Sequence, residues 1–132
     1  MTGKRILITG ANGRLGSTLT KLLEGGSNTV LPTDLESLDI SDWAAVRHAV
    51  IGAHPDIVIN AAAYTDVDGC ARDPELAYRI NGVGAGNLAA AAYEARAMIV
   101  QISTNEVFDG KASQPYREND RPNPANPYGA SK

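Results

Sequence analysis

The sequence is poor in several features that mark specialised classes of protein. Its only cysteine is Cys70, which excludes an internal disulfide and a metal site built from several cysteines. No apolar run approaches the length of a membrane span, and there is no repeat or low-complexity tract. We therefore expect a protein of the reducing cytoplasm, without a membrane partner.

Basic residues are not in excess either. The 12 Lys and Arg residues are outnumbered by 15 Asp and Glu, which gives a net charge of −3. Nucleic-acid binding needs a basic stripe, so nucleic acid is not the expected partner. An apolar run near the N-terminus is interrupted by Gly10 and Asn12, which argues against a secretory signal. With 132 residues and 43% hydrophobic content, the chain can bury the core of one domain.

Short apolar runs alternate with helical patterns along most of the chain. Ser41 is expected to cap the second helix, whose apolar positions include Trp43, Val46 and Val50. This alternation predicts an α/β fold, a Rossmann-type parallel sheet with helices on both faces. From Asn105 onward, four of the seven prolines predict a long loop. The expected strands are residues 4–9, 28–33 (weakened by Pro32), 55–60 and 97–103, and the main helices are 14–23, 41–50 and about 74–95.

A glycine-rich loop, TGANGRLG, joins the first strand to the first helix. Gly10 would permit the tight turn, Gly13 would let the backbone approach a pyrophosphate, and Gly16 would let the helix lie close to the strand. Asp34 ends the second strand 18 residues after Gly16, where an acid would bind an adenosine ribose and favour NADH. Arg14 could instead neutralise a 2′-phosphate, so the pattern leaves NADH and NADPH both open.

The last five residues place Tyr128 and Lys132 four positions apart. In a helix, the phenol and the ammonium would share one face. An ammonium beside a phenol lowers its pKa from about 10 and makes it a better proton donor at neutral pH. An exposed helical pair without a catalytic role gives the same spacing.

Five further segments, LDISD, NAAAYTDVD, YRINGVGAGNLAAAA, STNEVFDG and NPYGASK, come in the order and spacing of the extended short-chain dehydrogenase/reductases. Among these, the combination resembles the dTDP-4-dehydrorhamnose reductase family. The resemblance implies that NADPH or NADH reduces the 4-keto group of dTDP-4-dehydro-L-rhamnose, a dTDP-sugar. It further implies no metal ligands in this region, and a homodimer as the oligomer to test for.

The same resemblance assigns roles to individual positions. Thr104, Tyr128 and Lys132 match the catalytic triad, and Asn81 matches an asparagine with a structural or cofactor-side role. Asn105 and Glu106 depart from the family, which commonly has Asp and Tyr there, and a carboxylate at 106 is unfavourable beside a diphosphate unless it points away. The implied cofactor-binding residues are Gly10, Asn12, Gly13, Arg14, Leu15, Gly16, Asp34, Asp39, Ile40, Ala61, Ala62, Ala63, Tyr64 and Thr65.

The resemblance covers the whole chain but only about the N-terminal half of family members, which continue into a small substrate-binding domain. We therefore expect residues 1–132 to form an incomplete NAD(P)-binding Rossmann domain, cut after the fourth or fifth βα unit. Such a chain should bind dinucleotide weakly and turn over little or no sugar nucleotide. Two alternatives are a non-catalytic dinucleotide-binding module or regulatory subunit, and a nucleotide-sugar epimerase or dehydratase. The VFDG segment favours the reductase over the epimerase and dehydratase.

Overall fold

A computed structural model describes residues 3–132 and contains one sheet of four parallel strands. The strand order is β2-β1-β3-β4, so the first strand is central and the second and fourth lie at the two edges. This arrangement confirms the predicted parallel sheet. The strands are β1 (Arg5–Thr9), β2 (Thr29–Thr33), β3 (Ile57–Asn60) and β4 (Met98–Gln101).

Helices cover both faces of the sheet, as the alternating pattern predicts. In β1, Leu7 joins a core with Val46, Val50 and Leu88, while its neighbours Ile6 and Ile8 face the opposite core. Successive strand residues point to opposite faces, which is why one strand feeds two cores. The helices are α1 (Arg14–Glu24), α2 (Trp43–Ala53), α3 (Val67–Arg72), α4 (Pro74–Tyr78), α5 (Gly84–Glu94) and α6 (Pro127–Ser131). Among residues 3–132, none of the helices has the length and apolar character needed to cross a membrane.

The start of α2 corrects one expectation. Asp42, not Ser41, caps this helix, because its carboxylate accepts a hydrogen bond from the Ala45 N–H at 3.1 Å. The Ser41 hydroxyl instead donates to Asp39 at 2.8 Å. Trp43 is also more exposed than expected at 43%, so Val46 and Val50 supply the buried face of the helix.

The long helix predicted over residues 74–95 is present, with a local irregularity. A π turn (Arg79–Val83) connects α4 directly to α5 without a break in the helical path. Gly84 follows this turn, and a β-carbon added there would lie 2.7 Å from the Ile40 side chain. Glycine therefore lets the helix approach the segment that follows β2. The short helix α3 (Val67–Arg72) is an element that the sequence analysis missed.

The segment after β4 is ordered around one carboxylate. Asp109 accepts hydrogen bonds from the Tyr116 hydroxyl and the Asn123 amide, each at 2.8 Å, and from the Lys111 N–H at 3.0 Å. The Phe108 and Tyr116 rings stack with centroids 4.2 Å apart. The predicted long loop thus has an internal scaffold, and it also contains a 3₁₀ helix (Asn105–Val107).

Candidate functional site

The glycine loop lies at the carboxyl edge of the sheet, where open α/β sheets bind their ligands. Gly10 has a φ of +69°, which only glycine adopts readily, and an added β-carbon would lie 2.6 Å from the backbone of Ala62. A β-carbon on Gly16 would lie 2.0 Å from the Gly10 carbonyl oxygen. Both glycines therefore have the steric roles that the motif predicts.

The first turn of α1 has no side chain that satisfies its N–H groups. Its N-cap is Gly13, which cannot form a side-chain cap, and the first turn contains no acidic residue. Free N–H groups and the positive end of the helix dipole make this terminus suitable for a phosphate. The local geometry thus fits the pyrophosphate of a dinucleotide.

Asp34 lies beside this loop at the end of β2. One carboxylate oxygen accepts from the Asn12 N–H at 2.7 Å, and the other accepts from the Leu35 N–H at 2.8 Å. These bonds orient the carboxylate and leave lone pairs available, since a carboxylate can accept about four hydrogen bonds. The geometry fits a carboxylate that binds ribose hydroxyls.

A cavity of about 290 Å³ adjoins the glycine loop and Asp34. Most of the predicted cofactor-binding residues line it, whereas Asn12, Arg14, Leu15, Gly16 and Thr65 do not. Leu35, Leu38 and Ile80 also line the cavity and were missed. Leu38 precedes the Asp39–Ile40 pair, so its position in LDISD was the available signal, whereas no local pattern pointed to Ile80. The predicted residues that line the cavity are Gly10, Gly13, Asp34, Asp39, Ile40, Ala61, Ala62, Ala63 and Tyr64.

Polar side chains at the strand ends fix the turn that backs this cavity. The Thr9 hydroxyl donates to the Asn60 amide oxygen at 2.7 Å, and the Asn60 amide nitrogen donates to Gln101 at 2.8 Å. The same Asn60 oxygen accepts from the Ala62 N–H at 3.1 Å. Thr9 and Asn60 are each 1% exposed, so this network is a rigid support for Ala61–Ala63.

Asn81, which lies in the π turn, holds Tyr64, the residue that follows Ala61–Ala63. Its side-chain oxygen accepts from the Tyr64 N–H at 2.8 Å, and its nitrogen donates to the Tyr64 carbonyl at 3.0 Å. The asparagine is 3% exposed and holds Tyr64 through both backbone groups.

Thr104 forms the N-cap of the 3₁₀ helix that follows β4. Its hydroxyl oxygen accepts a hydrogen bond from the Glu106 N–H at 3.2 Å. A hydroxyl that accepts here retains its own proton for donation to a further partner. Thr104 therefore has a capping role and can still donate a hydrogen bond to a substrate carbonyl.

Tyr128 and Lys132 lie at α6, as the sequence spacing predicts. Tyr128 is within the helix and Lys132 is its C-cap, one turn further along. Both side chains are partly buried, and burial lowers the pKa of the Lys132 ammonium from its usual value. Asn126 caps the start of the helix by accepting from the Gly129 N–H at 2.8 Å.

Contacts between α6 and the 3₁₀ helix bring together the segments that carry the three predicted triad residues. The Asn126 amide donates to the Glu106 carboxylate at 2.7 Å. A β-carbon on Gly129 would lie 2.0 Å from the Glu106 carbonyl oxygen, so the two backbones are in close contact. One Glu106 oxygen is thus bound to the cap of α6. Among the described residues 3–132, no group of three or more His, Cys, Asp and Glu side chains could hold a metal ion.

Comparisons with known proteins find reductases that are similar to this chain. A dTDP-4-dehydrorhamnose reductase from Streptomyces griseus is 43% identical over 128 residues, which are 97% of this chain and 42% of that protein. The crystal structure of a dTDP-4-dehydrorhamnose reductase from Clostridium acetobutylicum is 50% identical, with a TM-score of 0.94, covering 96% of this chain and 45% of that one. The enzyme from Bacillus anthracis, solved in complex with NADP, is 41% identical with a TM-score of 0.96, covering 99% and 47%.

This chain therefore spans less than half the length of each of these proteins. A family model described as the RmlD substrate binding domain matches residues 4–132, nearly the whole sequence. Because that match is almost complete, the chain belongs to the RmlD substrate-binding-domain family.

Proposed function

We propose that residues 1–132 form the NAD(P)-binding Rossmann domain of a reductase that converts dTDP-4-dehydro-L-rhamnose into dTDP-L-rhamnose. One observation carries this proposal: the cavity at the carboxyl edge of the sheet lies between the glycine loop, Asp34 and the Ala61–Tyr64 turn. The similarity to reductases at 41–50% identity supports the reaction class. The same similarity does not favour an epimerase or a dehydratase.

The residues present fit a dinucleotide. A β-carbon at Gly10 or Gly16 would clash with neighbouring backbone, so both glycines are needed for the shape of the loop. The first turn of α1 offers N–H groups to a pyrophosphate. Asp34 would bind the adenosine ribose, and Asp39 with Ile40 would border the adenine. Ala61–Ala63 with Tyr64 would lie against the rest of the cofactor. Bound NADPH or NADH would supply the hydride for the reduction.

The chain's own groups would then manage the proton. Tyr128 would protonate the oxygen of the reduced carbonyl through its hydroxyl. Lys132 would stabilise the resulting phenolate, and Thr104 would orient the carbonyl through the hydroxyl that caps the 3₁₀ helix. Because burial already lowers the pKa of Lys132, a nearby phenolate would also help to retain its charge.

The proposal extends to the setting in which the protein works. A cytoplasmic location agrees with its lone cysteine, Cys70, which is a buried free thiol. The net charge of −3 argues against nucleic acid as a partner. A homodimer is the assembly proposed from the family resemblance, and sedimentation velocity would detect it.

A second candidate is a dinucleotide-binding module without catalysis. This alternative keeps the cavity between the glycine loop, Asp34 and the Ala61–Tyr64 turn as a cofactor site and gives Tyr128 no catalytic role.

The experiment is a transfer assay with deuterated NADPH or NADH and dTDP-4-dehydro-L-rhamnose. With the protein in excess over the sugar, mass spectrometry measures deuterium at the sugar's C4 even when turnover is slow. The reductase proposal predicts labelled product, lost in Tyr128→Phe and retained in Tyr93→Phe, whose phenol is 88% exposed on α5. Cofactor binding without label would leave the non-catalytic module. Equal labelling by the two variants would contradict the role of Tyr128.

A further inference from the structure

A buried chain of hydrogen bonds joins the cofactor cavity to the helix that carries Tyr128. Besides holding the Tyr64 backbone, the Asn81 amide nitrogen donates to the Ser131 hydroxyl at 2.9 Å. The Ser131 hydroxyl donates in turn to the Tyr128 carbonyl at 2.7 Å. The path therefore runs from Tyr64, in the cavity wall, to the backbone of the proposed proton donor.

Every polar group in this path is satisfied within the protein. The Asn81 side-chain oxygen accepts one hydrogen bond and its nitrogen donates two. The Ser131 hydroxyl accepts one hydrogen bond and donates one. Asn81 is 3% exposed and Ser131 is 5% exposed, so water cannot readily replace either partner. Breaking the link would leave buried polar groups without partners, which is costly. The turn at Tyr64 and the end of α6 should therefore move together.

Asn81 lies in the π turn and bonds both Tyr64 and Ser131 from there. π turns are rare and commonly occur at functional sites. Within this turn, a β-carbon on Gly82 would lie 2.9 Å from the Tyr78 ring and 3.5 Å from the Ser131 carbonyl oxygen. The absence of a side chain at Gly82 thus leaves room for the Tyr78 ring, and Gly82 also lies beside the end of α6. On the other side of Asn81, Ile80 lines the cavity.

We propose that the Asn81–Ser131 hydrogen bond couples dinucleotide occupancy of the cavity to the position of α6. Asn81 and Ser131 are then positioning residues for Tyr128 and Lys132, and neither needs to touch the substrate. The ligand part of this inference rests on the proposed function, whereas the link itself does not. Because coupling is reciprocal, loosening α6 should also weaken dinucleotide binding.

The test is amide hydrogen exchange on the whole chain, resolved by NMR. Ser131→Ala removes the hydroxyl, and Thr18→Ala is the control, because the exposed Thr18 hydroxyl donates to the Arg14 carbonyl within α1. Without ligand, Ser131→Ala should speed exchange of the distant Tyr64 amide about fivefold, because that factor corresponds to the loss of one typical buried hydrogen bond. Thr18→Ala should not change the exchange of this amide. A purely local role for Ser131 would alter only the amides of α6, and that result would overturn the link.

The ligand arm uses NADH at saturation. In the wild-type chain NADH should slow exchange of the Ala130 and Lys132 amides, which bond to Asn126 and Gly129 within α6. Ser131→Ala should reduce that protection several-fold and weaken NADH binding by a similar factor. Bound NADH that protects α6 equally in both proteins would overturn the coupling. If NADH does not bind at all, the proposed function fails, and the ligand-free Tyr64 rate still decides the link.

Discussion

The Asp34 carboxylate accepts a hydrogen bond from the Asn12 backbone at 2.7 Å, across 22 residues of sequence. This contact fastens the end of β2 to the glycine loop. It fixes a negative charge beside the surface where a phosphate-bearing cofactor is proposed to bind. Cofactor preference should therefore depend on this one side chain more than on the exposed Arg14.

The Asp34→Asn variant tests that dependence. Removing the charge should improve NADPH affinity relative to NADH by at least about fivefold, since unit charges about 4 Å apart interact by about 1 kcal/mol even in water. Calorimetric titration with each cofactor measures the ratio. Asp120→Asn, in the exposed segment before α6, is the control and should leave the ratio unchanged. An unaltered ratio in Asp34→Asn would remove Asp34 from the ribose site.

Gly16→Ala should destabilise the fold. Its new methyl would lie 2.0 Å from the Gly10 carbonyl oxygen, a backbone atom that cannot rotate away. Overpacking of this kind typically costs about 1–3 kcal/mol. The matched control is Gly86→Ala in α5, where an added β-carbon meets nothing within 4 Å and should be neutral or stabilising by up to about 1 kcal/mol. Urea denaturation compares the two, and equal stabilities would contradict the close approach of α1 to the loop.

Asp109 should contribute an acid-sensitive part of the stability. Hydrogen bonds from the Lys111 N–H, the Tyr116 hydroxyl and the Asn123 amide lower the pKa of Asp109 to about 2. Its folded-state pKa lies below the unfolded value of about 3.9, so the contribution is present above about pH 4 and is lost as the pH falls towards 2. Asp109→Asn should flatten this part of the curve of unfolding free energy against pH. Asp120→Asn should leave the curve in place, and an unchanged curve for Asp109→Asn would refute the assignment.

Glu106 should stabilise the start of α6. Its carboxylate accepts from the Asn126 amide at 2.7 Å, and Asn126 caps the helix. Glu106→Ala should lower the free energy of unfolding by about 1.5–3 kcal/mol, the range for a hydrogen bond to a charged group. It should also speed amide exchange at Gly129 and Ala130. Glu118→Ala, at an exposed position, is the control. No difference between the two variants would mean that the contact has no energetic role.

Local sequence patterns predicted the strands and the sites that depend on single turns. The run Ile6–Thr9 has the pattern of a buried strand because cores lie on both faces of this central strand. Pro32 is tolerated because β2 is an edge strand. Gly10 and Gly16 have steric roles that the motif specifies. The assignment of Thr104, Tyr128 and Lys132 came from family resemblance, and their catalytic roles remain predictions.

Features that depend on distant pairing were not visible in the sequence. Ile80 lines the cavity from within a π turn, and no periodic pattern in the sequence predicted that turn. The Asn81–Ser131 bond spans 50 residues and follows from how α6 docks. Asp42 caps α2 in place of the neighbouring Ser41, and because serine and aspartate are both favoured N-cap residues, the sequence alone did not distinguish them. Tertiary contacts, not local propensity, determined the first two of these features.

The central claim is that this chain binds a dinucleotide in the cavity beside the glycine loop. Calorimetric titration of NADH and NADPH into the wild-type chain, Gly10→Val and Gly86→Ala tests it most directly. A β-carbon at Gly10 would lie 2.6 Å from the Ala62 backbone, whereas Gly86 has open space. We predict saturable one-site binding to the wild-type chain. Gly86→Ala should retain this binding, whereas Gly10→Val should lose it although circular dichroism shows that the variant is folded. Absence of binding to the wild-type chain, or equal binding by folded Gly10→Val, would contradict the claim.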